Sequence, residues 1–293
     1  MIEAVEATML SWVQSLNDPR ATSLFAQMPA GKRLRAKLVM MIAPRHPHAV
    51  TLASVVELIH AASLLHDDVI DEAQLRRGKP SVNATQGSKT AIMMGDILYS
   101  KAYKELAVLG VEITQRVAHA VTQLSLGEMR DVVMGEAFNS DESAYIEMIY
   151  QKTASLIEAT TACAALLAGK DVDAHALYGK NLGLAFQIID DILDITSDEA
   201  TLGKPVMSDF REGKTTLPYI YLASQPSLRE RVVALHGKAL QEQERTWLMT
   251  SMQEQGVITK SYDYAKALSL EAIESVEDEA LHGLLHTLLA RAF

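Results

Sequence analysis

The sequence is poor in aromatic residues and in cysteine, and each shortage excludes a class of protein. Aromatic residues make up 5% of the 293 residues, whereas hydrophobic residues make up 48%. An apolar core must therefore be built mainly from Ala, Leu, Ile and Met, which favour helix packing over sheets. The single cysteine, Cys163, excludes a disulfide within the chain, and its apolar neighbours predict a buried thiol.

Positive charge is also scarce, since the formal net charge is −10. This balance argues against a nucleic-acid partner, because phosphate backbones need a basic face. It leaves room for a small anionic substrate held by metal ions or local basic clusters. The first 16 residues carry acids and no basic region, which is unlike a signal peptide. No apolar run reaches the roughly 18 residues of a membrane span. We therefore expect a cytoplasmic protein with no transmembrane segment.

Helical spacing of apolar residues dominates the chain, and period-two alternation is not sustained anywhere. Long segments rich in Ala, Leu and Ile, without internal proline, predict helices over residues 49–66, 86–108, 111–138, 142–168 and 173–196. Shorter and more polar helices are expected after about residue 225. No low-complexity linker interrupts the pattern. The sequence therefore predicts a single all-α domain over residues 1–293.

An acidic pattern occurs twice, as DDVID at 67–71 and as DDILD at 190–194, each time after an apolar run. On a helix, Asp67 and Asp71 share a face, and so do Asp190 and Asp194. Like charges at this spacing repel by a few tenths of a kcal/mol. One such motif fits a solvated helix end equally well, but two favour a bound cation. Carboxylate oxygens without thiolates suit Mg²⁺ and argue against Zn²⁺.

Basic clusters accompany the acidic motifs in the segments AGKRLRAKL (30–38), RRG (76–78), KT (152–153), GKP (203–205) and GKTTLP (213–218). Each alone fits surface salt bridges, but together they indicate diphosphate binding by arginine forks and lysine point charges. GKTTLP lacks the upstream glycine spacing of a P-loop. His60, on an apolar helical segment, is either a satisfied core residue or a hydrogen-bond donor to a diphosphate. No Ser/His/Asp relay can be assembled, which argues against nucleophilic catalysis.

From about residue 30 to 220, the chain resembles the trans-type polyprenyl diphosphate synthases. The resemblance rests on the ordered segments GKRLR, ELIHAASLLHDDVID, RRGKPSVN, GDILYSKA, QKTASLIEA, GLAFQIIDDILD, LGKP and D-x-x-EGKTTLP. It implies an all-α isoprenoid synthase bundle around a central cavity, and a homodimer. It also implies condensation of isopentenyl diphosphate onto an allylic diphosphate primer, geranyl or farnesyl. Ala30 and Ala36 stand where the family commonly has Gly and Pro, so we expect slight backbone differences there.

The resemblance also implies a role for individual residues. Three Mg²⁺ ions would be held by Asp67, Asp71 and Asp190, with Asp68, Asp191 and Asp194 in or near the same shell. The allylic diphosphate would be bound by Arg76, Lys152, Lys204 and Lys214. The diphosphate of isopentenyl diphosphate would be bound by Lys32, Arg35, His60 and Arg77. Thr153 and Gln187 match family positions near the reacting carbons. The expected catalytic set is therefore Asp67, Asp68, Asp71, Lys152, Thr153, Gln187 and Lys204.

Product length is predicted from small residues just before the first acidic motif. Ala62 and Ser63 stand where short-product relatives tend to have a bulky stopper, so the cavity should stay open as far as Leu106. This predicts a long product, with octaprenyl as the central expectation, for a quinone side chain. Alternatively, Ala62 and Ser63 only pack against a helix and the product is shorter, such as geranylgeranyl or farnesyl diphosphate.

Two further interpretations are disfavoured by the motifs. A non-catalytic synthase subunit usually lacks the acidic motifs, and both are intact here. A terpene cyclase commonly carries a mixed Asn/Ser/Glu motif in place of the second DDxxD. The DDILD motif, together with GKRLR and RRG for a second diphosphate, favours a synthase over a cyclase.

Overall fold

The structure, a computed structural model, describes residues 1–197 and 206–290, and these residues are mainly helical. The helices are α1 (Ile2–Gln14), α2 (Pro19–Gln27), α3 (Leu34–Ile42), α4 (Ala49–Ile70), α5 (Val82–Gln86), α6 (Ser88–Leu106), α7 (Val111–Gly135), α8 (Glu142–Ile149), α9 (Ser155–Ala168), α10 (Val172–Thr196), α11 (Ser208–Arg211), α12 (Leu217–Ala223), α13 (Pro226–Leu235), α14 (Glu242–Glu254), α15 (Val257–Ser275) and α16 (Glu279–Leu289). A 3₁₀ turn (Ala107–Leu109) follows α6, and a π-helical turn (Tyr150–Ala154) precedes α9. The predicted all-α class is confirmed.

The chain forms two compact units. The first comprises residues 1–121 and 158–176, and the second comprises residues 122–157 and the described residues from 177 onward. The single domain over residues 1–293 stays a prediction. The first acidic motif belongs to the first unit, and the second acidic motif belongs to the second unit.

Helix α4 forms the centre of the first unit, where it packs against α1, α3 and α6. Its sequence is apolar around most of the helix surface, and residues from Ala49 to Leu65 are buried on successive turns. Such a helix is stabilised by burial rather than by a single apolar stripe. It ends at Ile70, so the first acidic motif occupies its last turn and its C-cap.

By length and composition alone, α4 is also long and apolar enough to cross a membrane. Its most apolar 18 residues have a mean hydropathy of 1.5, and 67% of them are buried inside the protein. A core helix meets the same criterion, so the helix is weak evidence for a span. The predicted absence of a transmembrane segment and the cytoplasmic location both stay predictions.

The helix predicted over 142–168 is interrupted in the structure. The interruption is the π-helical turn Tyr150–Ala154, against which two glycines are pressed. A Cβ on Gly127 of α7 would lie 2.3 Å from the backbone nitrogen of Lys152. A Cβ on Gly183 of α10 would lie 2.5 Å from Cα of Ala154. Only glycine lets both helices approach the turn so closely. π-Turns within helices often mark functional sites.

Shorter helices were expected after about residue 225. Helices α13, α14 and α16 have 10, 13 and 11 residues, whereas α15 has 19, as many as α6. Helix α15 buries the small side chains of Ser261, Ala265, Ser269 and Ala272, which are spaced three or four residues apart. It packs against α12. Small residues allow close helix contact without large apolar side chains. A helix that is buried through Ser and Ala therefore looks polar in the sequence.

Candidate active site

The first acidic motif combines one buried carboxylate with two more accessible ones. Asp68 is buried, Asp67 is half-buried, and Asp71 is exposed at the C-cap of α4. The Nε of Arg76 donates a hydrogen bond of 2.8 Å to Oδ1 of Asp68, and its Nη2 contacts the same oxygen. Burial raises the pKa of Asp68, and the Arg76 guanidinium opposes this rise. Asp68 therefore holds Arg76 in place, while Asp67 and Asp71 remain more accessible.

A short β-hairpin, which the sequence did not predict, carries the two arginines that follow the motif. Strands β1 (Leu75–Arg76) and β2 (Lys79–Pro80) pair antiparallel around the loop Arg77–Gly78. Both loop residues have positive φ, 52° and 72°, as in the two-residue turns that match strand twist. Arg76 and Arg77 line a cavity of about 430 Å³ beside the hairpin, together with Asp68, Leu64 and Leu65.

Arg77 connects the hairpin with the GKRLR segment. Its Nη1 donates to the carbonyl oxygen of Pro29 at 3.4 Å. A Cβ on Gly31 would lie 2.6 Å from the same nitrogen, so a larger residue there would displace the Arg77 guanidinium from its present position. Two segments predicted to bind one diphosphate are thus brought together within the first unit.

His60 lies in the field of a cluster of arginines. Burial lowers the pKa of its imidazole well below the usual range, and the charges of Arg35, Arg77, Arg76 and Arg33 lower it further. The ring is therefore neutral and offers one N–H donor. Arg35 is buried, and its Nε has no hydrogen-bond partner in the part of the chain that the structure describes. An unpaired buried donor of positive charge is suited to an anionic ligand. Lys32, which belongs to the same predicted set, is exposed.

The residues predicted to set product length are all buried. Ala62 and Leu106 have no exposed surface, and Ser63 donates from Oγ to the backbone oxygen of His60 at 2.9 Å. Burial fits a tunnel wall and fits helix packing equally well. Their effect on product length therefore stays a prediction.

The second acidic motif lies near the end of α10, where its three carboxylates have different surroundings. Asp190 is exposed, whereas Asp191 and Asp194 are buried. Asp191 accepts a hydrogen bond of 2.5 Å from the hydroxyl of Tyr145 and one of 2.8 Å from Nε2 of Gln187. Burial raises the pKa of Asp191 well above its usual range, and the nearby Asp209 raises it further. A site where carboxylates crowd one another in this way is suited to a cation.

Asp194 has a structural partner of its own. Its Oδ1 accepts from the hydroxyl of Ser208 at 2.9 Å, and its Oδ2 accepts from the backbone N–H of Asp209 at 3.3 Å. These bonds tie the end of α10 to the start of α11. A role of Asp194 near the metal stays a prediction.

Acidic and basic groups of the second unit meet around a cavity of about 170 Å³. Its lining includes Asp131, Tyr145, Lys152, Thr153, Gln187, Asp190, Asp191, Asp209 and Lys214. Six residues predicted for this unit line the cavity: Lys152, Thr153, Gln187, Asp190, Asp191 and Lys214. Asp194 is not part of the lining, and Lys204 lies outside the described residues.

Two carboxylates of α7 hold Lys152, and the sequence-based prediction missed both. The Nζ of Lys152 lies 2.5 Å from Oδ2 of Asp131 and 2.8 Å from Oε2 of Glu128. Burial lowers the pKa of Lys152, but Asp131 and Glu128 together raise it above its ordinary value. The ammonium group is therefore charged and oriented. An acid pair three residues apart behind Gly127 is the only signal that could have pointed to these residues.

Tyr145 and Asp209 were also missed. Burial raises the pKa of Tyr145 well above its usual range, and Asp191 raises it further, so its hydroxyl remains a donor. Asp209 is the first residue of the D-x-x-EGKTTLP segment. That segment contributes to the family resemblance, but no role was predicted for Asp209. Nothing in the sequence around Tyr145 distinguishes it from a core aromatic residue.

The carboxylates of the site are suited to Mg²⁺ rather than to a metal that needs a preformed protein site. Within residues 1–197 and 206–290, no three His, Cys, Asp or Glu side chains converge into a preformed metal site. Mg²⁺ is usually bound by one or two carboxylates and completes its shell with water and substrate phosphate. The carboxylates of Asp190 and its neighbours around the cavity supply oxygen ligands of that kind. The residues present thus fit Mg²⁺ that arrives with a diphosphate.

Known proteins resemble most of this chain. The family model described as polyprenyl synthetase matches residues 19–252. A short chain isoprenyl diphosphate synthase of Methanothermobacter thermautotrophicus is 38% identical over 221 residues, which cover 71% of this chain and 68% of that protein. Among curated relatives, the matched part spans from 43% to 80% of the relative's own length.

Solved structures extend the likeness to the fold. The octaprenyl pyrophosphate synthase from Helicobacter pylori superposes with a TM-score of 0.94 and 38% identity, and the match covers 99% of this chain and 98% of that one. A polyprenyl synthase from Caulobacter crescentus, solved with calcium and isoprenyl diphosphate, gives a TM-score of 0.90 and 31% identity, covering 100% and 95%. The chain therefore belongs to the polyprenyl synthetase family, a family of prenyltransferase enzymes.

Proposed function

We propose that this chain condenses isopentenyl diphosphate onto an allylic diphosphate primer in trans configuration, in a reaction that depends on Mg²⁺. The observation that carries the proposal is the cavity in which Lys152 and Lys214 stand beside the carboxylates of Asp190, Asp191 and Asp209. Opposed charges around one small cavity suit a diphosphate that is bound partly through metal and partly through lysine.

The proposed metal ligands are Asp67, Asp71 and Asp190, with Asp68, Asp191 and Asp194 in or near the shell. The relative solved with calcium and isoprenyl diphosphate supports a divalent cation beside the substrate. When bound, the Mg²⁺ ions supply positive charge that stabilises the departing diphosphate. The number of ions, three by resemblance, belongs to the proposal.

The basic residues divide between two diphosphates. Arg76, Lys152, Lys204 and Lys214 bind the allylic one. Lys152 is suited to this role because Glu128 and Asp131 keep its ammonium group charged and oriented. Lys32, Arg35, His60 and Arg77 bind the diphosphate of isopentenyl diphosphate. The unpaired Nε of Arg35 and the neutral His60 imidazole are donors that this anion would satisfy.

The chemistry needs no side chain as general base. The C–O bond of the primer breaks, its electron pair leaves with the diphosphate, and an allylic cation remains. The double bond of isopentenyl diphosphate attacks this cation and forms the new C–C bond. A proton then leaves the condensed chain, and the released diphosphate accepts it. Thr153 and Gln187 lie near the reacting carbons, and apolar walls exclude water from the cation.

The product is proposed to be long, with octaprenyl diphosphate for a quinone side chain as the central expectation. The similarity to an octaprenyl pyrophosphate synthase at 38% identity supports this length. A short chain synthase is also 38% identical, so a geranylgeranyl or farnesyl product is the second candidate. The small side chains of Ala62 and Ser63 favour the longer product.

A homodimer is proposed as the working assembly. On the second-unit part of α7, the apolar side chains of Leu126, Met129, Val132 and Val133 are exposed to between 43% and 65%. Their spacing places them along one stripe of the helix. A contiguous apolar stripe on a surface helix is typical of an interface with another chain.

The decisive experiment incubates the purified protein with labelled isopentenyl diphosphate, farnesyl diphosphate and Mg²⁺, and resolves the products by chain length. We expect a ladder ending near eight isoprene units and no product in EDTA. Asp190→Ala should abolish incorporation, whereas Asp173→Ala, an exposed aspartate earlier in α10, should leave it intact. Products of four units would keep the reaction but reject the long chain. No incorporation by the unaltered protein would reject the proposal in favour of a subunit or a cyclase.

A further inference from the structure

Tyr145 is a buried side chain to which none of the proposed roles applies. It lies on α8, whose N-cap, Asp141, accepts hydrogen bonds from the backbone N–H groups of Ser143 at 2.8 Å and Ala144 at 3.2 Å. The ring has no exposed surface. Its hydroxyl donates a 2.5 Å hydrogen bond to Oδ2 of Asp191, in the second acidic motif. A residue outside the motifs therefore contacts the motif directly.

The hydrogen bonds continue from Asp191 to the residues proposed to lie near the reacting carbons. Nε2 of Gln187 donates to Oδ1 of Asp191 at 2.8 Å, and the hydroxyl of Thr153 donates to Oε1 of Gln187 at 2.9 Å. Nε2 of Gln187 therefore faces Asp191 and is the donor in this contact. The amide oxygen must then face Thr153, and both of these side chains line the cavity.

We propose that Tyr145 is a positioning residue that acts through Asp191 to fix the side-chain amide of Gln187, with its carbonyl oxygen on the side of the reacting carbons. This inference rests on the proposed function and deepens it. An amide oxygen carries partial negative charge, and a fixed dipole of that sign stabilises a developing cation. If the Gln187 amide were rotated so that its oxygen and nitrogen exchanged places, its N–H₂ group would face the cation and repel it.

The Tyr145 hydroxyl is needed because Gln187 alone cannot hold Asp191. With both donors present, each carboxylate oxygen has its own partner, and the group has one satisfied orientation. Without the hydroxyl, the carboxylate can rotate, and the amide loses the constraint that decides which of its ends faces Thr153. Buried polar networks specify one arrangement only when every member is satisfied.

The test uses Tyr145→Phe, which removes only the hydroxyl, and Tyr178→Phe as the matched control. Tyr178 is also fully buried in the second unit, and its hydroxyl donates at 2.8 Å to the backbone oxygen of Leu281, outside the cavity lining. Two ligands are measured by calorimetry in the presence of Mg²⁺. One is an ammonium analogue of the allylic cation given with inorganic diphosphate, and the other is an unreactive allylic thiolodiphosphate with no charge at that carbon.

For Tyr145→Phe we expect about tenfold weaker binding of the cationic analogue and about tenfold lower kcat, with the neutral analogue and KM changed by less than about twofold. Tyr178→Phe should leave the ratio of the two affinities unchanged. Both affinities are measured on one sample, so a smaller folded fraction cancels in the ratio. Equal weakening of both ligands by Tyr145→Phe would overturn the proposal, because it would indicate a general structural role.

A double-mutant cycle provides the second arm. If Tyr145 acts through Gln187, adding Tyr145→Phe to Gln187→Ala should lower kcat no further. A multiplicative loss would also overturn the proposal. If the unaltered protein makes no prenyl product, the proposed function fails, but the affinity ratio still decides whether Tyr145 sets the preference for a cation.

Discussion

At the scale of single residues, Cys163 shows how burial removes reactivity. It has no exposed surface, and its Sγ lies 4.0 Å from the backbone oxygen of Ile113. Burial raises the pKa of the Cys163 thiol to about 12. At pH 8 the reactive thiolate is then only about 10⁻⁴ of the population.

We therefore expect the folded protein not to react with a thiol reagent such as dithiobis-nitrobenzoate at pH 8 within an hour. In guanidinium chloride, the same sample should release one equivalent of chromophore per chain, which serves as the control. Rapid reaction of the folded protein would show that α9 opens easily around Cys163 or that the thiol is less buried than described.

Ala62 provides the residue-scale test of product length. Ala62→Phe should shorten the product if the side chain faces the tunnel, because a phenyl ring blocks the growing chain. Ala53→Phe is the matched control, since Ala53 is equally buried on the same helix and nine residues earlier. Each substitution overpacks the core at a cost of about 1–3 kcal/mol. Product sizes are compared by chromatography. The same product length from both variants would remove Ala62 from the tunnel wall.

At the scale of elements, the π-helical turn depends on two glycines that belong to other helices. Gly127→Ala should lower the free energy of unfolding by about 1–3 kcal/mol, because the added methyl meets the Lys152 backbone. It should also lower kcat by more than the loss of folded protein explains, since Lys152 and Thr153 belong to the displaced turn.

Gly283→Ala is the control for this element-scale prediction. Gly283 lies inside α16, and a Cβ there meets nothing within 4 Å. Alanine is the better helix former, so this variant should gain up to about 1 kcal/mol and keep full activity. Denaturant unfolding followed by circular dichroism measures both variants. Equal stability of the two would mean that α7 does not press on the turn.

The elements also show what a sequence predicts well and what it does not. Helix α10 was predicted to within one residue, and α4 was predicted from its first residue to four residues before its end, because long apolar periodicity reports burial directly. The β-hairpin was missed because two-residue strands are too short to show alternation. The π-turn was missed because the helices that contact it most closely, at Gly127 and Gly183, lie elsewhere in the sequence. In the candidate site, the acidic motifs are visible in sequence as local spacing. The Tyr145–Asp191 and Lys152–Asp131 contacts join residues 46 and 21 positions apart, which spacing does not report.

At the scale of the whole molecule, the exposed stripe on α7 predicts self-association. Met129→Glu places a charge in the stripe, and burying an unpaired charge at an interface is costly. We expect this variant to be monomeric in light scattering coupled to gel filtration, while the unaltered protein is a dimer. Leu270→Glu is the control, because Leu270 is an exposed apolar residue on a different helix, α15. Dimers of both variants would place the interface elsewhere.

The hairpin loop carries a consequence for how such a protein responds to selection. Arg77 has a φ of 52°, a conformation that glycine, asparagine and aspartate adopt far more easily than arginine. Holding an arginine there costs on the order of 1 kcal/mol of stability. Directed evolution for heat resistance alone should therefore replace Arg77 with Asn or Gly at an early round. The selected variants would be more thermostable, but they would have lost a residue proposed to bind isopentenyl diphosphate.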